Sequence, residues 1–201
     1  MTTVGELVIA GPAEPWKAIG LGISDGCARV GGIVLRFGGD GSGIVEWALI
    51  DLPDMVADVD GLPTRGIDDV PDGPSATETL AWDHLVVTTS SLERTCGAIE
   101  AATAAPLKRI REAGAVRQGF HRLGELIIEV VESAQVTSDV AQFWGFVWVV
   151  DDLHDWCDRL GPDVIGLPKP AVQPGRFIAT VRPALGLGVP LALMTPDQPH
   201  R

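Results

Sequence analysis

The chain is short of several things at once, and each shortage removes a class of function. No apolar run reaches the ~20 residues that a membrane-spanning helix needs, so no membrane association is expected. The N-terminus has no basic stretch leading into an apolar one, and therefore no secretory leader pattern. Only three cysteines occur, Cys27, Cys96 and Cys157. They lie far apart, with no CxxC or metal-knuckle spacing, so reduced and buried thiols in a cytoplasmic protein are expected. Positive charge is scarce: 15 Lys and Arg stand against 27 Asp and Glu, a net charge of −12. A surface that negative repels phosphate backbones and argues against nucleic-acid binding. The Gly-rich run 38–43 lacks the Lys-Ser/Thr of a phosphate loop and does not lead into a helix pattern, so it reads as a hairpin turn. No nucleophile elbow of the GxSxG kind is present.

What the chain does have is a repeated phrase. Arg29-Val30-Gly31 precedes the extended run Gly32 to Arg36, and Arg122-Leu123-Gly124 precedes Glu125 to Glu129. Ahead of each copy lie a short strand-like run and then a helix-like stretch. The first opening pairs Glu6 to Ile9 with Pro12 to Ile19, and the second pairs His84 to Val87 with Ser91 to Ala105. A third opening pairs Phe146 to Val150 with Asp152 to Leu160. Repetition at this period marks one supersecondary unit used several times, here strand, helix and a short antiparallel meander.

Local signals place these elements. Pro12 suits the first turn of a short helix. Ser90 or Ser91 caps a helix with Leu92, Cys96 and Ile99 on one face, stopped by Pro106. Asp151 or Asp152 caps another, ended by Gly161. The stretch 53–79 is rich in Pro, Gly and Asp with little apolar period, as linkers are. The expected division is an N-terminal half-unit at 1–62, a linker at 63–79 and a paired domain at 80–198.

From about Trp82 to Pro196 the chain resembles the vicinal oxygen chelate superfamily, which includes glyoxalase I, methylmalonyl-CoA epimerase, extradiol dioxygenases and antibiotic-resistance binding proteins. The resemblance rests on the order and spacing of short motifs. These are Asp83-His84-Leu85-Val86-Val87, Arg122-Leu123-Gly124 with Ile128-Glu129-Val130, Trp144-Gly145-Phe146 with Val150-Asp151-Asp152-Leu153, Gln173-Pro174-Gly175-Arg176 and Pro190 to Pro196. It implies an α+β fold of tandem βαβββ units whose curved mixed sheet surrounds a pocket. Metal-dependent members place one ligand on the first strand and one on the last strand of each unit. Carried over, these positions hold His84 and Glu129 in one unit, and Phe146 and Leu193 in the other. Two of the four are apolar, so the expected site is degenerate. A divalent metal on His84 and Glu129 stays open, and the favoured expectation is that none is tightly bound.

Strand alternation supplies a separate reading. His84, Val86 and Thr88 share one face, and Ile127, Glu129 and Val131 share another. Phe146, Trp148 and Val150, with Leu191 and Leu193, are expected on the corresponding face of the third segment. The expected pocket is half polar and half aromatic-aliphatic. His121 is the candidate third ligand. Arg117, Arg122 and Arg176 are candidate contacts for an anionic group.

The expected partner is a small molecule. The leading expectation is an isomerase or lyase acting on a modest-sized carbonyl compound, with His84 and Glu129 as catalytic residues. A metal-free sequestering protein and a non-catalytic assembly subunit are the alternatives. An odd number of half-units would leave one sheet edge bare, which favours a homodimer.

Overall fold

The computed structural model describes residues 1–52, 56–76 and 80–197. The start of the Pro-rich stretch (53–55), the end of the expected linker (77–79) and the last four positions, with the expected domain end at 198, lie outside the described residues.

Two mixed sheets carry the fold. The first contains β1 (Thr3–Ala10), β2 (Cys27–Val30), β3 (Ile33–Gly39), β4 (Ile44–Ile50), β5 (Asp58–Val59) and β6 (Leu62–Ile67), in the order β2-β3-β1-β4-β6-β5. The second contains β7 (Leu80–Thr89), β8 (Arg109–Ala113), β9 (Val116–Leu123), β10 (Leu126–Ser133), β11 (Gln142–Val150), β12 (Lys169–Pro170), β13 (Phe177–Thr180) and β14 (Leu191–Met194). Its order is β12-β13-β14-β11-β7-β10-β9-β8. Among the described residues three α-helices each link strands of one sheet: α1 (Glu14–Lys17) in the first, and α2 (Leu92–Thr103) and α3 (Leu153–Leu160) in the second. This is the α+β glyoxalase-like architecture that the motifs imply.

The helix termini form for local reasons. The Ser91 hydroxyl accepts from the backbone N–H of Arg94, and α2 ends at Ala104 in the left-handed conformation, two residues before Pro106. The Asp152 carboxylate accepts from the N–H groups of His154 and Asp155 at the start of α3. The turn at 12–19 is shorter than its sequence pattern suggests, with four helical residues that bury Trp16.

The repeated phrase is a repeated hairpin. Gly31 and Gly124 both take positive φ, at 55° and 65°, where a side chain would be strained. Each turn returns the chain into a strand parallel to the first strand of its unit, β3 beside β1 and β10 beside β7. The two tips also touch, since the Gly32 N–H donates to Glu125 Oε1 at 2.5 Å.

The N-terminal segment holds more than the half-unit expected at 1–62. β4 lies antiparallel to β1 as β11 does to β7, and β6 lies parallel to β4 as β14 does to β11. β4 to β6 therefore form a second reduced unit, with no helix among its described residues. Residues 63–67, expected in the linker, belong to β6. Pro63 is tolerated there because it sits at the second position of that strand, opposite the two-residue β5. Among the described residues the half-units are even in number, so the odd-unit argument for a homodimer does not apply.

One apolar core runs through both sheets. Trp16 packs against Phe146 and Trp148 with ring centroids 6.0 and 6.1 Å apart, and Trp47 packs on Phe143 at 5.5 Å. The Trp82 indole N–H donates to the Val30 carbonyl at 2.8 Å. Asp60 in the β5–β6 turn accepts from Arg94 and Thr95 on α2. All three cysteines are free and buried. Among the described residues, no helix is long and apolar enough to cross a membrane.

Candidate functional site

The open face of the second sheet bounds a cavity of about 340 Å³. Its polar wall comes from β7 and β10, where His84, Val86 and Thr88 face it beside Glu129 and Val131. These two strands run parallel in unbroken register, with Val86 opposite Glu129. Simple alternation therefore holds along both. The opposite wall is apolar and includes Val147, Ile178, Leu191 and Ala192.

Two irregularities in the pairing of β7 with β11 shape the site. Val147 pairs with His84 and Trp148 with Trp82, so Asp83 is an extra residue in β7. Such a bulge re-aims a side chain. Here it turns Asp83 toward the ring of its own neighbour. Trp144 is the extra residue in β11, between Phe143, opposite Val87, and Gly145, opposite Val86. Its ring is half exposed at the cavity rim. Gly145 is required for this arrangement, because a Cβ there would collide with the Pro190 carbonyl oxygen.

The bulges correct several expectations. Phe146 lies opposite Leu85 and Val147 opposite His84, so the face assigned from the motif is shifted by one residue. Phe146 borders the cavity, but its ring stacks among Trp16, Trp82 and Trp148. Trp148 and Leu193 pair with one another and are buried in the core, away from the cavity. On those strands Val147 and Ala192 line the cavity in their place, with Leu191 at the start of β14 beside them.

His121 is also misplaced by the sequence reading. It lies opposite Ile128, on the core side of the sheet, with Nδ1 2.9 Å from the Ala105 carbonyl and Nε2 without a partner. Burial pushes its pKa below the ordinary value, opposed by the Ala105 hydrogen bond. Arg117 is engaged by Glu93, Glu112 and Glu132. Arg122 is exposed and donates to the Gly124 and Glu125 carbonyls at the hairpin tip.

Arg176 does reach the site, through Asp83. It is 5% exposed, donates from Nη2 to Asp83 Oδ1 at 2.6 Å, and is anchored by the Thr195 carbonyl at 2.8 Å. Asp83 Oδ2 lies 2.6 Å from His84 Nδ1, and His84 Nε2 lies 3.2 Å from Glu129 Oε2. Glu129 Oε1 accepts from Gln118 Nε2 at 2.5 Å, and Gln118 Oε1 accepts from Arg111 at 2.7 Å. The result is a continuous line: Arg176, Asp83, His84, Glu129, Gln118, Arg111. Burial raises the Asp83 pKa, but His84 and Arg176 outweigh it, and the carboxyl is held below its ordinary value. Asp83 and Arg111 were not singled out as site residues from sequence. Adjacent residues on a regular strand face opposite ways, and only the bulge brings Asp83 to His84.

The superfamily implies a divalent metal at this place, and the donors do not fit one. His84 Nδ1 is taken by Asp83, and Nε2 points at the carboxylate with which it would have to share a metal. The opposite wall offers no donor among Val147, Ile178 and Ala192. A metal site usually needs at least three protein ligands. Among the described residues, no cluster of three or more His, Cys, Asp or Glu side chains could supply them.

The fold is that of the vicinal oxygen chelate superfamily. A variant of 4-hydroxymandelate synthase from Streptomyces coelicolor, a member of that superfamily, aligns over 99% of this chain and 94% of its own with a TM-score of 0.69 at 14% identity. Methylmalonyl-CoA epimerase from Mycobacterium tuberculosis, another member, aligns over 61% of this chain and 93% of its own, with a TM-score of 0.51 at 16% identity. A hypothetical protein from Bacillus halodurans C-125 covers 62% of this chain and 99% of its own, with a TM-score of 0.52 at 14% identity. No family model matches the sequence, and no curated protein matches it significantly.

Proposed function

We propose that the protein is a metal-free acid–base isomerase or lyase acting on a modest-sized, largely apolar carbonyl compound. The observation that carries this reading is the line Asp83–His84–Glu129 at the wall of an otherwise apolar cavity. An oriented imidazole with a carboxylate behind it and a second carboxylate in front is the recurring architecture of proton transfer.

A neutral imidazole carries one N–H. Each ring nitrogen of His84 faces a carboxylate oxygen, so an N–H on either nitrogen has an acceptor. In the proposed reaction, a substrate carbonyl oxygen accepts the Nε2–H bond in place of Glu129. The freed carboxylate takes the proton from the adjacent carbon. The C–H electron pair moves into the carbon–carbon bond, and the carbonyl π pair moves to oxygen. Charge on that oxygen is stabilised by the Nε2–H of His84, a donor held in place by Asp83. Return of the proton by Glu129, on the same face but to a different carbon of a conjugated enolate, gives an isomer, and loss of a β-substituent with that electron pair gives a lyase product. An epimerase and a synthase are both built on this fold, so the fold alone does not choose the chemistry.

The test is solvent deuterium incorporation. The protein is incubated in D2O with short-chain and aryl α-keto acids and β-dicarbonyl compounds, and exchange is followed by proton NMR. Exchange catalysed by the wild type and lost in Glu129→Gln, with Trp144 fluorescence still reporting binding, supports the reading. Binding without exchange in the wild type supports the sequestering alternative, which the apolar lining favours. Binding homodimers and a cytoplasmic location remain separate proposals, tested by light scattering and by fractionation.

A further inference from the structure

The catalytic-side cavity does not end at its rim. A second cavity of about 430 Å³ shares Trp144, Thr180 and Pro190 with the first. The two are compartments of one groove, with the Trp144 ring at the boundary. The bulge in β11 puts that ring there, and the bare Gly145 lets the β11 backbone approach the Pro190 carbonyl. The second compartment is lined mainly by apolar side chains, including Val181, Leu187 and Val189, and by one ionisable group, Arg182.

Arg182 is held in a way that leaves its charge available. Its backbone N–H donates to the Val164 carbonyl at 2.8 Å, and its Nε–H donates to the Pro162 carbonyl. Those two bonds fix the direction of the guanidinium. Its terminal nitrogens have no partner among the described residues, in contrast to Arg176 and Arg117. A fixed guanidinium with a free pair of N–H donors matches a carboxylate or phosphate. Arg182 is exposed, at the edge of this compartment, and it is the one cationic side chain among the residues that line it; on a chain of net charge −12 such a position favours an anion locally.

We infer that the substrate is an elongated molecule with its carbonyl at His84 and Glu129, an apolar midsection under Trp144, and a terminal oxyanion on Arg182. This rests on the proposed carbonyl site and specifies its substrate class. A ligand confined to the first compartment would leave the Arg182 compartment unused. A neutral tail would fill it without the charge-assisted bond.

The probes are methyl ketones on saturated chains of increasing length, ending in a carboxylate, a phosphate monoester or a neutral methyl ester. Binding is read by Trp fluorescence. The expected result is a chain-length optimum at which an anionic probe binds about tenfold tighter than its ester, with Arg182→Gln removing that advantage. Near-UV circular dichroism and the melting temperature of Arg182→Gln, read without any ligand, show that the variant is folded. The carboxylate and phosphate series together identify which oxyanion fits. Equal binding of anions and esters, or an anionic advantage that survives in Arg182→Gln, overturns the inference while leaving the carbonyl site standing. Absence of binding by every probe overturns both.

Discussion

Arg36 holds on β3 the ladder position that Glu129 holds on β10. Val8 pairs with Arg36 as Val86 pairs with Glu129, and Glu6 stands two residues before Val8 as His84 stands before Val86. The two sheets therefore present corresponding faces with different chemistry. In the first, the Glu6 carboxylate accepts from Arg36 at 2.7 Å and from Arg65 at 2.6 Å, and Arg65 also holds Glu46 at 2.9 Å. On that face Glu6, Arg36, Arg65 and Glu46 are engaged with one another. In the second, an apolar cavity stays in front of the His84–Glu129 pair.

The Asp83–Arg176 contact is expected to support both stability and orientation. Asp83→Ala leaves a buried guanidinium with only backbone oxygens and the exposed Asp197, and should cost about 3 kcal/mol in chemical denaturation. Asp83→Asn keeps the shape and removes the charge. It should reduce deuterium exchange far more than it reduces ligand binding. The folded-state pKa of Asp83 lies below its unfolded value. Its contribution to stability is therefore present above about pH 4 and lost as pH falls through the lower folded value. Equal acid sensitivity of wild type and Asp83→Asn would contradict this.

His121 predicts a second pH dependence in a different window. Burial lowers its folded-state pKa from 6.5, so the unfolded chain binds the proton first. Stability should fall as pH drops below about 6.5 and continue to fall until the folded-state value is passed. His121→Asn keeps a donor for the Ala105 carbonyl and cannot titrate. Denaturation midpoints at pH 7.5 and 5.5 should differ less for this variant than for the wild type.

Trp144 and Trp148 should separate binding from folding. Trp144→Ala removes a half-exposed rim and should weaken ligand binding with little effect on stability. Trp148→Ala opens the core and should cost about 4 kcal/mol. Gly145→Ala places a methyl against the Pro190 carbonyl and should cost about 2 kcal/mol while displacing Trp144. Gly97→Ala, on the exposed face of α2 with open space around it, should instead stabilise by about 0.5 kcal/mol. Thermal melts and fluorescence titrations of the four variants check the set.

Much of the fold was readable because its signals are local. The Arg-x-Gly phrase marked two hairpins with positive-φ glycines, Ser91 and Asp152 marked helix starts, and regular alternation placed His84 and Glu129 on one wall. The missed parts depend on pairing between distant strands. An extra residue at Asp83 and another at Trp144 shift the register between β7 and β11, so Phe146, Trp148 and Leu193 turn inward and Asp83 turns outward. No spacing in either segment reveals a bulge. The Gly-rich run 38–43 was expected to close a hairpin between β3 and β4, but those strands lie on either side of β1, so the run crosses over it; part of β6 was read as linker because Pro63 and Gly66 interrupt its apolar pattern. His121 was ambiguous because half-buried and core histidines look alike in a strand.

The central claim is proton transfer without a metal, and one measurement addresses it directly. Transition-metal content and deuterium exchange on a bound carbonyl compound are measured on the same wild-type sample, before and after exhaustive treatment with a strong chelator. Far less than one equivalent of metal, with an exchange rate unchanged by the chelator, is the predicted result. Exchange that disappears on chelation and returns with one equivalent of a divalent metal would contradict the account.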